Sequence, residues 1–147
     1  MRGQVLLVLA FGLVLGNLVA ADDAKKDDKD LWQGTWVMLS GEANGETIAP
    51  EQAQLFKRVV KGDKLTITRD GEELYQGSFK LDPSKKPKSI DVTIETGDAK
   101  GMTMIGIYEF DGDTLKICMA RLDSPRPTEF TGKAGSNQTF AKWKKEK

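Results

Sequence analysis

The strongest structural signal in this chain is Gly106-Ile-Tyr-Glu-Phe-Asp-Gly-Asp-Thr-Leu-Lys-Ile-Cys118. Two apolar runs of strand-forming residues, Gly106–Phe110 and Thr114–Met119, flank the tripeptide Asp111–Asp113. An Asp-Gly pair between two such runs is among the strongest short-range signals for a β-hairpin. The sequence therefore predicts an antiparallel β protein.

The same pattern recurs on both sides of this hairpin. Lys64–Arg69 and Ser89–Glu95 alternate strictly between apolar and polar residues, and turn signals such as Asp70-Gly71 follow at intervals of about 8–12 residues. Gln138–Lys144 is the last predicted strand. Only Pro50–Phe56 favours a helix, of one or two turns, because proline suits the first helical position.

About eight strands are predicted, each with one apolar face that must be hidden from water. Eight antiparallel strands joined mostly by tight turns favour an all-β, up-and-down barrel with at most one short helix. The alternative is a Greek-key sandwich. Closure into a barrel also removes the exposed strand edges that an open meander would present.

The first 21 residues have the pattern of a cleavable secretory signal. Arg2 precedes an uncharged apolar run, Val5–Val19, and small residues follow up to Ala21. A membrane-spanning helix is the alternative, but the run is shorter than the roughly 20 apolar residues that a span needs. Residues 22–30 are almost all charged and predict a flexible leader, which leaves residues 31–147 for one domain.

Composition excludes several classes of function. Without Arg2, the mature chain has 21 basic and 22 acidic residues in mixed order, so no basic stripe for nucleic acid is visible. The chain has no histidine, which removes Ser-His-Asp and Cys-His catalysis and most zinc sites. Its single cysteine, Cys118, is predicted to be a small buried residue. We therefore expect no enzyme activity, no cofactor and no metal.

A barrel of this size could enclose one small apolar ligand. The strand alternation predicts which side chains would line such a cavity. The same side chains would fill a solid core if there were no cavity, and both possibilities remain open. The predicted inward residues are Leu39, Leu65, Ile67, Phe79, Val92, Ile94, Met104, Tyr108, Leu115, Ile117 and Phe140.

Two polar groups could be considered as sites. Asp111 and Asp113 could bind calcium, but the further oxygen ligands of a calcium loop are missing, so turn hydrogen bonds are the simpler interpretation. Arg126–Glu129 lies in a longer loop, where an ion pair or turn bonds would hold the loop against the barrel. Direct contact with a ligand is the alternative for this cluster.

Gly34-Thr35-Trp36 resembles the Gly-x-Trp motif that opens lipocalin-type barrels, in which the Trp closes one end beneath a basic side chain. The resemblance implies that Gly34 and Trp36 close the barrel. Arg126, Lys142 and Lys144 are the candidates for the basic partner.

Three further blocks of sequence are similar to a family of exported, lipocalin-like domains of unknown function, known chiefly from planctomycetes. These blocks are Leu81–Ile94, Gly106–Cys118 and Arg126–Phe130. The resemblance covers residues 31–145. It implies a lipocalin-like barrel and a bacterial envelope setting, periplasmic or extracellular, and it implies no activity.

Two functions follow as hypotheses. The first is a secreted, non-enzymatic module that binds a small apolar ligand or an envelope protein, with no membrane span after signal cleavage. The alternative is a solid-core structural or interaction domain without a ligand. The sequence makes no prediction of the oligomeric state.

Overall fold

A computed structural model describes residues 27–147. The predicted signal segment, residues 1–21, and most of the predicted leader lie outside the described residues. Trp32–Lys147 form one compact unit, which is the barrel. Between residues 27 and 147 no helix is long and apolar enough to cross a membrane.

The barrel unit is built almost entirely from strands. The described helices are α1 (Asp28–Trp32) and α2 (Pro50–Ala53), and the strands are β1 (Gly34–Ala43), β2 (Glu46–Thr47), β3 (Phe56–Lys61), β4 (Lys64–Arg69), β5 (Glu72–Asp82), β6 (Lys88–Ile94), β7 (Thr103–Asp111), β8 (Thr114–Ala120) and β9 (Gln138–Lys145). Helix α1 begins inside the stretch for which the sequence predicts a flexible leader. Asp28 and Asp30 lie in its first turn, where acidic side chains favour a helix.

Eight strands close into an antiparallel barrel, as predicted. Strands β3 to β9 pair in chain order, and β1 pairs with both β3 and β9 to close the ring. The two-residue strand β2 pairs only with the end of β1. Each long strand therefore has a neighbour on both sides, which satisfies the backbone hydrogen bonds that an open edge would expose.

The hairpin predicted from the sequence joins β7 to β8. Asp111 pairs with Thr114, so the turn consists of Gly112 and Asp113 alone. Gly112 has a φ of +62°, in the left-handed region that two-residue hairpin turns require and that glycine adopts without strain. The turn is thus explained by its backbone geometry.

The prediction that Leu39 points inward is wrong. Trp36 and Met38 are buried, so alternation along β1 places Leu39 on the outer face, where it is 46% exposed. A bulge between Met38 and Ser40 then shifts the register against β9. As a result Gly41, and not Ser40, is the next buried position.

The packed core lies inside the barrel. Its buried members are Trp32, Trp36, Met38, Ala53, Val60, Leu65, Ile67, Phe79, Ile90, Val92, Tyr108, Leu115, Ile117 and Trp143. Most of the predicted inward residues are in this set. Ile94 is also buried but lies outside the packed cluster.

Phe140 differs from its predicted position. It pairs with Cys118 on β8, whereas its neighbours Ala141 and Trp143 pair with the core residues Ile117 and Leu115. Its ring packs against that of Phe130, with the centroids 6.0 Å apart. Phe140 therefore belongs mainly to the outer face of β9 and only borders the interior.

Candidate ligand-binding site

One end of the barrel is filled by aromatic side chains. The Trp32 ring centroid lies 5.7 Å from that of Phe79 and 5.4 Å from that of Tyr108. Trp36 is 2% exposed, and its indole Nε1 donates a hydrogen bond of 2.9 Å to the carbonyl oxygen of Trp32. Phe110 packs against both tryptophans. These five aromatic residues together are here called the filled end.

The basic side chain over Trp36 is Lys145. Its Nζ lies 5.2 Å from the centroid of the Trp36 ring, a distance suited to a cation–π contact. The three candidates proposed from the sequence, Arg126, Lys142 and Lys144, were wrong. Lys145 follows Trp143 by two residues and so shares its inward face, which is the sequence signal that could have identified it.

Gly34 leaves room for this lysine. A Cβ atom at Gly34 would lie 3.4 Å from Cε of Lys145, and the glycine has a φ of +118°. A side chain there would be strained and would press on the Lys145 stem. The Gly-x-Trp motif therefore has a local physical explanation in this chain.

The opposite end of the barrel is an open cup with a volume of about 270 Å³. Its walls are mostly apolar. The lining residues are Met38, Gly41, Glu42, Ala43, Ile48, Phe56, Arg58, Ile67, Tyr75, Met104, Ile117, Met119, Thr139, Phe140, Ala141 and Trp143.

Only part of the predicted lining reaches this cup. Ile67, Met104, Ile117 and Phe140 border it. The other predicted residues that are buried do not line the cup. The two possibilities left open by the sequence, a solid core and a cavity, thus occupy different ends of one barrel.

Ile48 folds over the rim of the cup. Its backbone N–H donates a hydrogen bond of 2.8 Å to the Gly41 carbonyl oxygen. A Cβ atom at Gly41 would lie 2.8 Å from Ile48 Cδ1, so a side chain there would require the Ile48 side chain to move. The bulge that brings Gly41 inward therefore also shapes the mouth of the cup.

Arg58 lies on β3 beside the cup and was not predicted as a site residue. It is only 6% exposed and pairs in register with Trp36 on one side and Ile67 on the other. Its guanidinium carbon lies 4.9 Å from the Trp143 ring centroid and 5.8 Å from that of Trp32. Burial lowers the pKa of the guanidinium from its usual value, because desolvation disfavours the charged form.

Strand alternation could have found Arg58. Phe56 and Val60 flank it at two-residue spacing and face inward, whereas Val59 is 40% exposed. The residue type opposes this assignment, because arginine is almost never fully buried unless it is paired.

Three buried donor atoms in and around Arg58 have no acceptor. Within residues 27–147, the Nε of Arg58 and the indole Nε1 atoms of Trp32 and Trp143 are buried without a hydrogen-bond partner. None of the ion pairs formed in this part of the chain involves Arg58. Tyr75 also lines the cup, and burial raises the pKa of its phenol, so its hydroxyl stays protonated. The site can donate hydrogen bonds to a bound acceptor.

The outer face of the barrel has a second buried layer. Ile107, Cys118 and Ala120 are buried but do not belong to the inner cluster. The loop of residues 121–137, here called the covering loop, makes contact with this face. Cys118 Sγ donates to the Thr131 carbonyl oxygen at 3.4 Å. The buried position predicted for Cys118 is confirmed, and burial raises the pKa of its thiol.

Arg126 holds the covering loop against the barrel, which confirms the interpretation of an ion pair for this cluster. Its Nη2 donates to Asp91 Oδ1 at 2.7 Å. Its Nη1 donates to the carbonyl oxygens of Ile90 at 3.1 Å and Gly106 at 2.8 Å. At the other end of the loop, Gly132 N donates to Glu42 Oε1 at 2.7 Å.

The carboxylates of the hairpin turn do not form part of a larger cluster. In the described part of the chain, no group of three or more His, Cys, Asp or Glu side chains could hold a metal ion. Comparisons with family models, with curated proteins and with solved structures find no match. The function must therefore be inferred from the side chains of the cup.

Proposed function

We propose that this protein is an exported, non-enzymatic, lipocalin-like barrel that binds a small apolar molecule in the cup. The observation that carries the proposal is the apolar, open-mouthed volume of about 270 Å³. Ligand pockets typically measure about 300–1,000 Å³, so the cup suits a small ligand or the end of a longer one. The resemblance of the Gly34–Trp36 motif and of the three sequence blocks supports the lipocalin-like assignment.

Export is supported by the N-terminal pattern of Arg2, the apolar run Val5–Val19 and the small residues up to Ala21. We expect the secreted protein to begin at Asp22 and to reach the periplasm or the medium. Intact mass measurement of the protein recovered outside the cytoplasm tests this. Recovery of the full-length chain in the cytoplasm alone would contradict export.

Ligand binding is tested with three probes that share an eight-carbon chain: 1-octanol, octanoate and octylammonium. We expect at least one of them to bind the protein at a 1:1 ratio in isothermal titration calorimetry. Ala141→Phe should abolish this binding, because Ala141 lines the cup and a phenyl ring there would occupy it.

Lys144→Phe is the matched control, since Lys144 is exposed on the same strand. It adds the same ring outside the barrel and should leave binding unchanged. If none of the three probes binds the wild-type protein, and native mass spectrometry of the secreted protein gives only the apo mass, the ligand-binding proposal is wrong.

A solid-core structural or interaction domain of the cell envelope is the second candidate. The filled end favours it, because five aromatic side chains pack together there. In that case the cup would be a shallow irregularity of the barrel mouth. The same titration distinguishes the two functions, since a solid-core domain would bind none of the probes.

A further inference from the structure

A cation buried inside the barrel needs an explanation. Charged side chains are costly to remove from water, and buried ones are normally paired with an opposite charge. Arg58 is 6% exposed, yet the ion pairs among residues 27–147 do not include it. Its position beside an apolar cup therefore sets it apart from the other arginines of the barrel.

The contacts with tryptophan account for only part of its surroundings. Trp143 and Trp32 offer ring faces to the guanidinium at 4.9 Å and 5.8 Å. Such faces attract the positive charge, but they do not accept the in-plane hydrogen bonds of a guanidinium. The Nε of Arg58 is left without a partner, and so is the Nε1 of Trp143. Both residues line the cup, so an acceptor bound there would supply the partner that these two donors lack, whereas Trp32 Nε1, the third donor without a partner, belongs to the filled end.

The remaining charge at the cup does not neutralise Arg58. Glu42 is the one acidic residue among the lining residues, and it lies at the open end of β1. Its Oε1 accepts a hydrogen bond from Gly132 N at 2.7 Å, which holds the carboxylate toward the covering loop. The cup is therefore apolar on its walls and positive at Arg58.

We propose that the ligand of the cup is a small apolar anion, whose negatively charged head group pairs with the Arg58 guanidinium while its apolar part lies against Met104, Ile117 and the other apolar walls. This inference rests on the proposed function, because it specifies the chemistry of the molecule that the cup binds. An aliphatic carboxylate fits, since a carboxylate can accept two parallel hydrogen bonds from a guanidinium. Trp143 Nε1 and the Tyr75 hydroxyl are further donors on the lining.

The three eight-carbon probes also test this inference, because they differ only in head group. At pH 7 octanoate is negatively charged, octanol neutral and octylammonium positively charged. We expect wild-type protein to bind octanoate roughly tenfold or more tightly than octanol, because hydrogen bonds to a charged acceptor are the strong ones. Octylammonium should bind most weakly, since its charge would face Arg58.

Arg58→Met keeps an unbranched apolar side chain, shorter than that of arginine, and removes the charge. We expect this variant to lose the preference for octanoate while it still binds octanol. Arg58→Lys should retain a reduced preference, because lysine keeps the charge but lacks the planar pair of donors. Circular dichroism establishes that each variant is folded before it is titrated.

The possible results separate the two proposals. If octanol binds as tightly as octanoate in the wild-type protein, or if Arg58→Met keeps the octanoate preference, the anion proposal is wrong and binding of an apolar molecule stands. Failure of all three probes overturns the proposed function itself. If Arg58→Met does not fold, the order of the three probes on the wild-type protein still decides the question.

Discussion

The two ends of this barrel are built from the same strands but differ in packing and in charge. At the filled end, Trp36 Nε1 donates to the Trp32 carbonyl oxygen, and aromatic rings surround it. At the cup, Arg58 Nε and Trp143 Nε1 are buried without a partner beside open space, whereas Trp32 Nε1 at the filled end is without a partner among packed rings. Because nearly all buried polar groups in proteins are hydrogen-bonded, a cation without a partner beside an open cup marks that end as the one suited to binding.

Trp36→Ala should have the largest effect on stability. It removes a fully packed indole and its hydrogen bond from the filled end, where neighbouring rings cannot collapse into the space. We expect a loss of about 3–5 kcal/mol in the free energy of unfolding, measured by urea denaturation.

Met104→Ala is the matched change at the cup. Met104 is only partly buried and already borders open space, so its removal enlarges a cavity without creating one. We expect a loss below about 2 kcal/mol. Equal losses for the two variants would mean that both ends are structural, and the contrast between them would then fail.

Arg126→Met should have the next largest effect, because Arg126 has the partners that Arg58 lacks. It bonds Asp91 and the carbonyl oxygens of Ile90 and Gly106. The Arg126 side chain is 35% exposed, so solvent weakens these bonds and we expect a loss of about 1–2 kcal/mol.

Release of the covering loop should also expose the thiol of Cys118, which is buried in the intact protein. We expect dithionitrobenzoate to label Cys118 faster in Arg126→Met than in the wild-type protein. Lys64→Met, which breaks an exposed ion pair with Glu95, is the control and should leave the rate unchanged. An unchanged rate in Arg126→Met would show that Arg126 does not hold the loop.

Arg58→Met should change stability in the opposite direction. The substitution removes a buried unpaired charge and leaves a shorter, unbranched apolar side chain, so the free energy of unfolding should rise by about 1 kcal/mol or stay unchanged. Arg69→Met on β4 is the control, because Arg69 is exposed and should change stability by less than about 0.5 kcal/mol.

A loss above about 2 kcal/mol in Arg58→Met would assign Arg58 a structural role, since its contacts with the two tryptophans would then outweigh its desolvation. A neutral or stabilising result would show that the fold does not need the charge. The changes in the free energy of unfolding of Arg58→Met and Arg126→Met, both measured by urea denaturation, compare an arginine at the cup directly with an arginine on the outer face.

The barrel could be predicted from the sequence because strands and tight turns have local signals. The Asp111–Asp113 turn and the alternation in Leu65 and Ile67 each depend on residues within a few positions of one another. Closure followed from the number of strands and the need to hide their apolar faces.

The site itself could not be predicted in the same way. The alternation rule places Arg58 inward, but the usual preference of arginine for the surface opposes that assignment, and only the packed structure decides between them. The covering loop has no periodicity that would indicate its position. Its presence could be inferred only from Ile107 and Cys118, which are apolar on the outer face of strands whose inner face is apolar too.

The smallest expected effect concerns Tyr75 and alkaline pH. Burial raises the pKa of the Tyr75 phenol in the folded protein above its usual value of about 10, and the positive charge of Arg58 opposes this shift only in part. In the unfolded chain the phenol loses its proton at a lower pH than in the folded protein. The unfolded state is therefore stabilised relative to the folded state as the pH rises through about 10. The stabilising contribution of Tyr75 is therefore complete below pH 10 and is lost above it.

Tyr75→Phe should remove this dependence. We expect the wild-type protein to lose more stability than Tyr75→Phe between about pH 9 and pH 11, measured as the difference in urea midpoint at each pH. Tyr108 is present in both proteins, so its own titration cancels in the comparison. Parallel curves for the two proteins would mean that the Tyr75 phenol is as well solvated at the cup as in the unfolded chain. The cup would then be wetter than its apolar lining indicates, and the contrast with the filled end would be weaker.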